Sequence, residues 1–259
     1  MTRITSATGL FLLCALPLGH CEAIASRSAS ELVDAMRAAR DSDGFEIRIT
    51  LRMRSAGSAM EPSRIALIGQ SGEERERLLV RAISPAGIRD RSIVSERVGD
   101  QVQSTAYAAD ATSASTPVDP MAGIFGTGLV AWDLMAPWWN WPEQVDEGPQ
   151  TVNGHSCNQV RSRPDRRDAS PVREALSCVD ARIGLAWKTT LFDGHHRLLR
   201  SIEVTRSIRT QAGYSAAKSA SITDAQGGVT LVDVYSGDEH YRIGPQTFDA
   251  PAGPAPARD

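Results

Sequence analysis

The segment FEIRITLRMR, residues 45–54, alternates apolar and polar side chains without a break. Successive side chains of a β-strand point to opposite faces of the sheet, so this period of two predicts a long strand with one apolar and one solvated face. The apolar face must be covered, which predicts a sheet that is packed on one side and exposed to solvent on the other. The apolar positions are Phe45, Ile47, Ile49, Leu51 and Met53.

Strand-like runs of similar length fill most of the remaining chain, with turn-forming residues between them. Asp193-Gly194, for example, predicts a hairpin turn. Together the runs predict about ten or eleven strands in an antiparallel meander. The further runs are RIALIG (64–69), ERLLVRAIS (76–84), RSIVSERVG (91–99), QVQSTAYAA (101–109), TVNGHSCNQVRSR (151–163), EALSCVDAR (174–182), LAWKTTLF (185–192), HRLLRSIEVTR (196–206), SAAKSASITD (215–224) and GVTLVDVYSG (228–237).

Two stretches depart from the strand pattern. Ser28 and Glu31 have the spacing of a capping box, and the apolar residues that follow predict an amphipathic helix ending near Gly44. Residues 110–149 contain a polar loop and a short helical turn near Leu129 to Met135. The predicted fold class is therefore mainly β with a helical lid (α+β): one strongly curved antiparallel sheet that forms an incomplete β-barrel around an apolar cavity.

The two ends of the chain differ from the middle. Residues 1–25 combine an early cation at Arg3, a short apolar run and small residues near Ala25, as in a secretory signal peptide, which predicts export to the periplasm. In an alternative interpretation Cys21 is a lipidated N-terminus, although His20 is bulky for that motif. Residues 250–259 are rich in Pro and Ala and predict a disordered tail, which leaves 26–249 as one domain.

Two of the four cysteines remain after the predicted signal peptide, Cys157 and Cys178. Each lies in a strand-like run, and two cysteines in an exported chain usually pair, so the sequence predicts a structural cross-strand disulfide. Closing a loop of this size contributes about 3 kcal/mol in the chain-entropy model. Thiol catalysis would need a CxxC motif, and a metal site would need further ligands at a suitable spacing.

The sequence contains no recognisable catalytic constellation. GQSGE at residues 69–73 lacks the Gly-x-Ser-x-Gly spacing and is predicted to be a hairpin turn. His195 and His196 are expected to point to opposite faces of a strand, which disfavours joint metal chelation. The net charge of −3 does not indicate a basic surface that would bind nucleic acid. We therefore expect no enzyme activity, no cofactor, no metal and no nucleic-acid partner.

Four of the five tryptophans lie within GTGLVAWDLMAPWWNWPEQ, residues 126–144. Because neighbouring side chains at 138 and 139 diverge, we expect at least one ring to face solvent or a ligand. Three interpretations remain open: a plug that packs the open end of the barrel, a lining of the cavity mouth, and a docking face for a membrane or a partner. The residues are Trp132, Trp138, Trp139 and Trp141.

The order of these elements resembles the outer-membrane lipoprotein-sorting (LolA-like) family over roughly residues 28–249. The phrases that carry the resemblance are GFEIRITLRMRS, FGTGLVAWDL and VDARIGLAWKTTLFDGHHRLLR. The resemblance implies a monomeric, non-catalytic periplasmic carrier. Its helices cover an apolar cavity that shields acyl chains of lipoproteins or other lipids, in exchange with inner- or outer-membrane transport partners. The apolar residues of 45–53 and the four tryptophans are the cavity candidates.

The cysteine pair and the tryptophan cluster are not carried over from the family. A periplasmic sensor or regulatory interaction protein on the same fold is the alternative function.

Overall fold

The computed structural model describes residues 28–55, 58–59, 61–109, 115–165, 170–211 and 213–249. These residues form a mainly β structure with one antiparallel sheet and few helices. The helices are α1 (Ala29–Arg40) and α2 (Ala131–Met135). The strands are β1 (Ser42–Ser55), β2 (Ser58–Ala59), β3 (Ser63–Ser71), β4 (Arg75–Ser84), β5 (Ser92–Val98), β6 (Gln101–Tyr107), β7 (Thr116–Val118), β8 (Glu143–Val152), β9 (His155–Arg163), β10 (Glu174–Asp180), β11 (Leu185–Phe192), β12 (Leu198–Arg209), β13 (Ser215–Asp224) and β14 (Val229–Asp238).

The sheet consists of two meanders joined by one long-range pairing. Its strand order is β7-β6-β5-β4-β3-β1-β14-β13-β12-β11-β10-β9-β8, and the short β2 pairs with β1. Strand β1 pairs with β14 from Glu46 opposite Asp238 to Arg54 opposite Val229. The two edge strands, β7 and β8, do not pair with each other, so the sheet is not closed into a barrel.

The alternating segment 45–54 forms most of β1, as its pattern predicts. The run 151–163, by contrast, is not one strand. Asn153 (φ 50°) and Gly154 (φ 81°) form a left-handed turn that separates β8 from β9. Strand β8 is absent from the sequence prediction because it is a largely exposed edge strand without apolar alternation, and its pairing is interrupted between Asp146 and Pro149.

Helix α1 has the predicted N-terminus: the Glu31 N–H donates to the Ser28 hydroxyl, and the Glu31 carboxylate accepts from the Ser28 N–H. The helix ends at Arg40, however, so Gly44 is not its stop signal. Gly44 lies inside β1, where an added Cβ would come within 2.2 Å of the Tyr241 carbonyl oxygen. The glycine is required there by the close approach of the C-terminal segment.

The predicted hairpin at Asp193-Gly194 joins β11 to β12, but its geometry differs from a two-residue turn. The left-handed residue is His196 (φ 57°), and the Asp193 carboxylate accepts from the N–H groups of His195 and Arg197. The expectation that the two histidines are strand neighbours is wrong because both lie in this turn. The His196 ring stacks on Phe192, with the ring centroids 4.5 Å apart.

The segment that links the two edge strands crosses one face of the sheet. We call residues 119–142 the central segment; it contains two 3-10 turns, Ile124–Gly126 and Pro137–Asn140, on either side of α2. We call the face that it covers, together with α1, the inner face, and the opposite one the outer face.

The predicted signal peptide 1–25 and the tail 250–259 lie outside the described residues, and the assignment of 26–249 to one domain stays a prediction. No helix in the described ranges is both long and apolar enough to span a membrane.

Candidate functional site

The apolar side of β1 packs against the central segment. Ile49 and Leu51 are buried in a cluster with Ile124, Leu129 and Met135 of the central segment. Strands β3 and β4 supply further members of that cluster. Phe45 and Ile47 are half-buried and pack against the same cluster, and Met53 is half-buried. In the described part of the chain, the central segment therefore occupies the place where the resemblance puts an apolar cavity.

The four tryptophans of the central segment form one buried group. The Trp132 ring centroid lies 5.3 Å from that of Trp138 and 6.1 Å from that of Trp141, and the Trp138 and Trp139 centroids are 6.0 Å apart. Each of the four residues is between 2% and 4% exposed.

None of the four rings is exposed to solvent in this structure, whereas a ring that faces a ligand stays a prediction. Helix α1 covers the group from one side with Leu32, Val33 and Met36, and β9 and β10 cover it from the other with Val160 and Val179. Diverging neighbours can both be buried because the 3-10 turn lies between two layers. This burial favours the plug interpretation.

Two of the buried indoles are not hydrogen-bonded. The Nε1 atoms of Trp138 and Trp141 have no partner among the described residues. The carbonyls of the same two residues both accept from the Gln144 side chain, at 2.9 and 3.0 Å. An unsatisfied buried donor costs about 1–3 kcal/mol. The backbone carbonyls of Trp138 and Trp141 are therefore hydrogen-bonded, whereas their indole N–H groups are buried without a partner among the described residues.

Two arginines of α1 bind the central segment through its backbone. Arg37 donates from Nε and Nη2 to the Trp139 carbonyl at 3.0 and 2.7 Å. Arg40 donates to the Leu134 carbonyl at 2.8 Å and to the buried Glu76 carboxylate at 2.9 Å. These contacts hold α1 and the central segment together at one end of the sheet.

A buried ion pair holds the central segment to the sheet. Arg200 Nε of β12 lies 3.1 Å from Asp133 Oδ2 of α2, without hydrogen-bond geometry. Burial raises the pKa of Asp133 from 3.8 to about 7, while the charge of Arg200 acts in the opposite direction. Arg200 also donates to the Gly128 carbonyl, and the Gly128 N–H donates to Thr230 Oγ1 of β14 at 3.0 Å.

Sequence reasoning missed this pair, because its members are far apart in the chain. One signal could have pointed to Asp133: it is the single charged residue between positions 124 and 142.

A cleft of about 250 Å³ opens beside the tryptophan group. It lies between the C-terminal end of α1, the turn that follows β3 and the central segment. Met135 and Trp139 give it an apolar side, and Arg37, Arg40 and Arg97 give it a charged rim. The cleft is the point at which the buried aromatic group approaches solvent.

The predicted disulfide between Cys157 and Cys178 is present and connects β9 to β10, with a Cα–Cα distance of 5.4 Å. The cysteines pack with Leu185 and Trp187 in a cluster separate from those under the central segment. The exposed His155 ring stacks on Trp187 with the centroids 3.5 Å apart. This disulfide therefore packs in a different cluster from the tryptophan group and belongs to the framework of the C-terminal meander.

The motif GQSGE lies where the sequence predicts a turn. Its Ser71 ends β3, and the following residues form the turn before β4. Within the described ranges, no three His, Cys, Asp or Glu side chains are grouped so that they could hold a metal ion.

Comparison with solved structures identifies the fold. The chain is similar to a DUF1329 family protein from Desulfovibrio piger, with a TM-score of 0.76, 14% identity and coverage of 85% of this chain and 95% of that one. It is also similar to an outer membrane lipoprotein-sorting protein domain from Vibrio parahaemolyticus, with a TM-score of 0.74, 13% identity and coverage of 85% and 95%. A LolA superfamily protein from Nitrosomonas europaea matches with a TM-score of 0.69, 15% identity and coverage of 86% and 98%.

No protein-family model and no curated protein matches the chain by sequence. At these identities the comparisons define the fold, and they confirm at that level the resemblance to lipoprotein-sorting proteins.

Proposed function

We propose that this protein is a non-catalytic periplasmic carrier or binder of lipid-like ligands, namely the acyl chains of lipoproteins or of other lipids. The observation that carries the proposal is the aromatic plug on the inner face, in which two buried indole N–H groups lack partners among the described residues. These unmet hydrogen bonds would be made with water when the plug moves away, which lowers the free-energy cost of displacing it from the apolar face. The shared fold of lipoprotein-sorting proteins supports the same function.

In the proposed mechanism, an acyl chain takes the place of part of the central segment. The ligand gains about 0.8 kcal/mol for each CH₂ group that it buries, which offsets the apolar contacts of the displaced segment. The residues that would contact the ligand lie on the apolar side of β1 and in the central segment: Phe45, Ile47, Ile49, Leu51, Met53, Trp132, Trp138, Trp139 and Trp141. The cleft beside Trp139 is the proposed entry point, and the central segment with α1 acts as the helical lid.

Backbone strain on both sides of α2, in the preceding 3-10 turn and directly after the helix, supports displacement of this segment. Phe125 (φ 50°) and Ala136 (φ 44°) both adopt the left-handed conformation. That conformation costs a residue other than glycine about 1–2 kcal/mol. Movement of α2 away from the inner face would release this strain, so these two positions are the proposed hinges.

An engineered disulfide that can be reduced tests the proposal. A Cβ built on Gly128 lies 3.3 Å from the Thr230 Cβ, close to the separation found in disulfides. We expect Gly128→Cys/Thr230→Cys to oxidise and to hold the central segment against β14. The readout is tryptophan fluorescence during titration with palmitate, before and after reduction.

We expect palmitate binding only after reduction. The unsubstituted protein under the same two conditions is the control for reduction of the Cys157–Cys178 disulfide. Equal binding in the oxidised and reduced variant would show that the ligand does not displace the segment. Absence of palmitate and of co-purified lipid in native mass spectrometry, together with capture of one specific protein partner, would support the sensor function instead.

A further inference from the structure

A row of paired residues that includes two arginines crosses the outer face of the sheet. The cross-strand pairs run from Arg206 to Ser219, Asp233, Thr50, Arg64 and Ser84, through β12, β13, β14, β1, β3 and β4. Directly paired residues of an antiparallel sheet point to the same side. Strands lie about 4.8 Å apart, so this row is roughly 24 Å wide.

The row lies on the face opposite the plug. The neighbours of Thr50 and Arg64 in sequence, namely Ile49, Leu51 and Ile65, are buried against the central segment. The side chains of the row alternate with these and therefore point outward. The outward positions of β1 and β4 next to the row add further arginines. We call the whole set the arginine face: Arg48, Arg52, Arg54, Arg64, Arg81 and Arg206.

The carboxylates on this face do not neutralise it. Asp233 binds Arg52 at 2.6 Å and Arg206 at 3.3 Å, and Glu46 binds Arg48 at 3.0 Å. Asp238 lies opposite Glu46 at the rim.

Three arginines of the face, Arg54, Arg64 and Arg81, form no ion pair with a carboxylate of the described residues. The face is therefore strongly positive although the whole chain has a net charge of −3.

An exposed aromatic residue lies within the arginine face. The register of β1 against β14 shifts at Tyr235, so this residue is an extra one in its strand. It is 46% exposed, and the Arg64 guanidinium lies 5.9 Å from its ring centroid. Tyrosine rings are favoured where one end is apolar and the other is hydrated, as at the boundary between lipid and water.

We propose that the arginine face docks on the surface of a bilayer rich in anionic lipid. Guanidinium groups bind phosphate oxygens through paired hydrogen bonds, and an array of them about 24 Å wide contacts several headgroups together. The opposite charge of the remaining surface orients the chain with this face toward the membrane. The choice of a bilayer as partner rests on the proposed periplasmic location, but docking itself does not require acyl-chain binding, because the two sites lie on opposite faces of the sheet.

The test is co-sedimentation of the full chain with phosphatidylcholine vesicles that contain about 30% phosphatidylglycerol, or none. We expect binding only to the anionic vesicles in about 0.05 M salt, and loss of binding in about 0.5 M salt because the surface charges are then screened. Each arginine near an anionic surface contributes about fivefold to partitioning. Arg54→Gln/Arg64→Gln should therefore weaken partitioning by about 20- to 30-fold.

Arg182→Gln/Arg197→Gln is the matched control, because it removes two exposed arginines from turns away from this face. We expect it to bind vesicles like the unsubstituted chain. Arg54→Gln/Arg64→Gln should keep its unfolding midpoint, and both variants should keep their palmitate binding, which separates this proposal from the carrier function.

Three results would overturn docking on an anionic bilayer. These are equal binding to both kinds of vesicle, an equal loss of vesicle binding in the two arginine variants, and binding to heparin without binding to the anionic vesicles.

Discussion

Arg200 of β12 and Asp133 of α2 form a buried ion pair with a Nε–Oδ2 distance of 3.1 Å, in which neither atom has hydrogen-bond geometry. The pair joins the central segment to a strand that lies far from it in sequence. Because neither carboxylate oxygen of Asp133 has a hydrogen-bond partner among the described residues, the attraction between the two groups has to balance the loss of hydration of two charges.

Removal of one partner should therefore cost more than removal of both. Above pH 7, where Asp133 is charged, we expect Asp133→Leu to lower the free energy of unfolding by about 3–5 kcal/mol, because it leaves the Arg200 charge buried alone. Asp133→Leu/Arg200→Met should recover most of that loss. Urea unfolding of the two variants measures the difference, and equal stabilities would contradict the role of the pair.

Protonation of Asp133 should make stability depend on pH. Its pKa is raised from 3.8 to about 7 by burial, so between these values the folded chain holds a proton that the unfolded chain has released. The free energy of unfolding should then fall as pH rises from about 4 to about 7, by a few kcal/mol, and level off above.

Two other carboxyl groups change the free energy of unfolding in a different range of pH. The pKa of Asp193 is lowered to about 2 and that of Asp233 is also lowered, so their contributions are lost only below about pH 4. Urea unfolding at a series of pH values, compared with Asp133→Asn, isolates the contribution of Asp133. The same slope in both proteins would assign it to other groups.

The disulfide should stabilise the fold without affecting ligand binding. Cys157→Ser/Cys178→Ser opens a loop with a sequence separation of 21, and we expect a loss of about 3 kcal/mol. Palmitate binding should be unchanged because the cysteines pack in a different cluster from the tryptophan group. Urea unfolding and fluorescence titration measure the two effects. Loss of binding in a folded variant would contradict this separation.

Two glycines should respond differently to the same substitution. Gly44→Ala places a Cβ 2.2 Å from the Tyr241 carbonyl oxygen, whereas Gly87→Ala meets nothing within 4 Å. We expect a loss of about 1–3 kcal/mol at Gly44 and no loss at Gly87. Thermal unfolding measures both, and similar midpoints for the two variants would show that the C-terminal segment moves away at little cost.

Local patterns in the sequence predict most of the individual elements. The alternation of 45–54 predicts β1, since a strand with one buried face needs apolar side chains at every second residue. Ser28 and Glu31 predict the start of α1, because their capping interactions involve only neighbouring residues. The sequence predicts the cysteine pair because both residues lie in strand-like runs and the first 25 residues have the pattern of a signal peptide. The sequence does not predict edge strand β8, because a solvated strand lacks this alternation.

The features on which the proposed function depends are formed only by the tertiary structure. The burial of Trp138 and Trp139 requires two layers, α1 and the sheet, that meet only in the folded chain. The ion pair of Asp133 and Arg200, the joining of β1 to β14 and the arginine face all depend on strand register between residues far apart in sequence. Periodicity determines which face of an element is apolar, whereas only the pairing of distant strands determines which side chains become neighbours on that face.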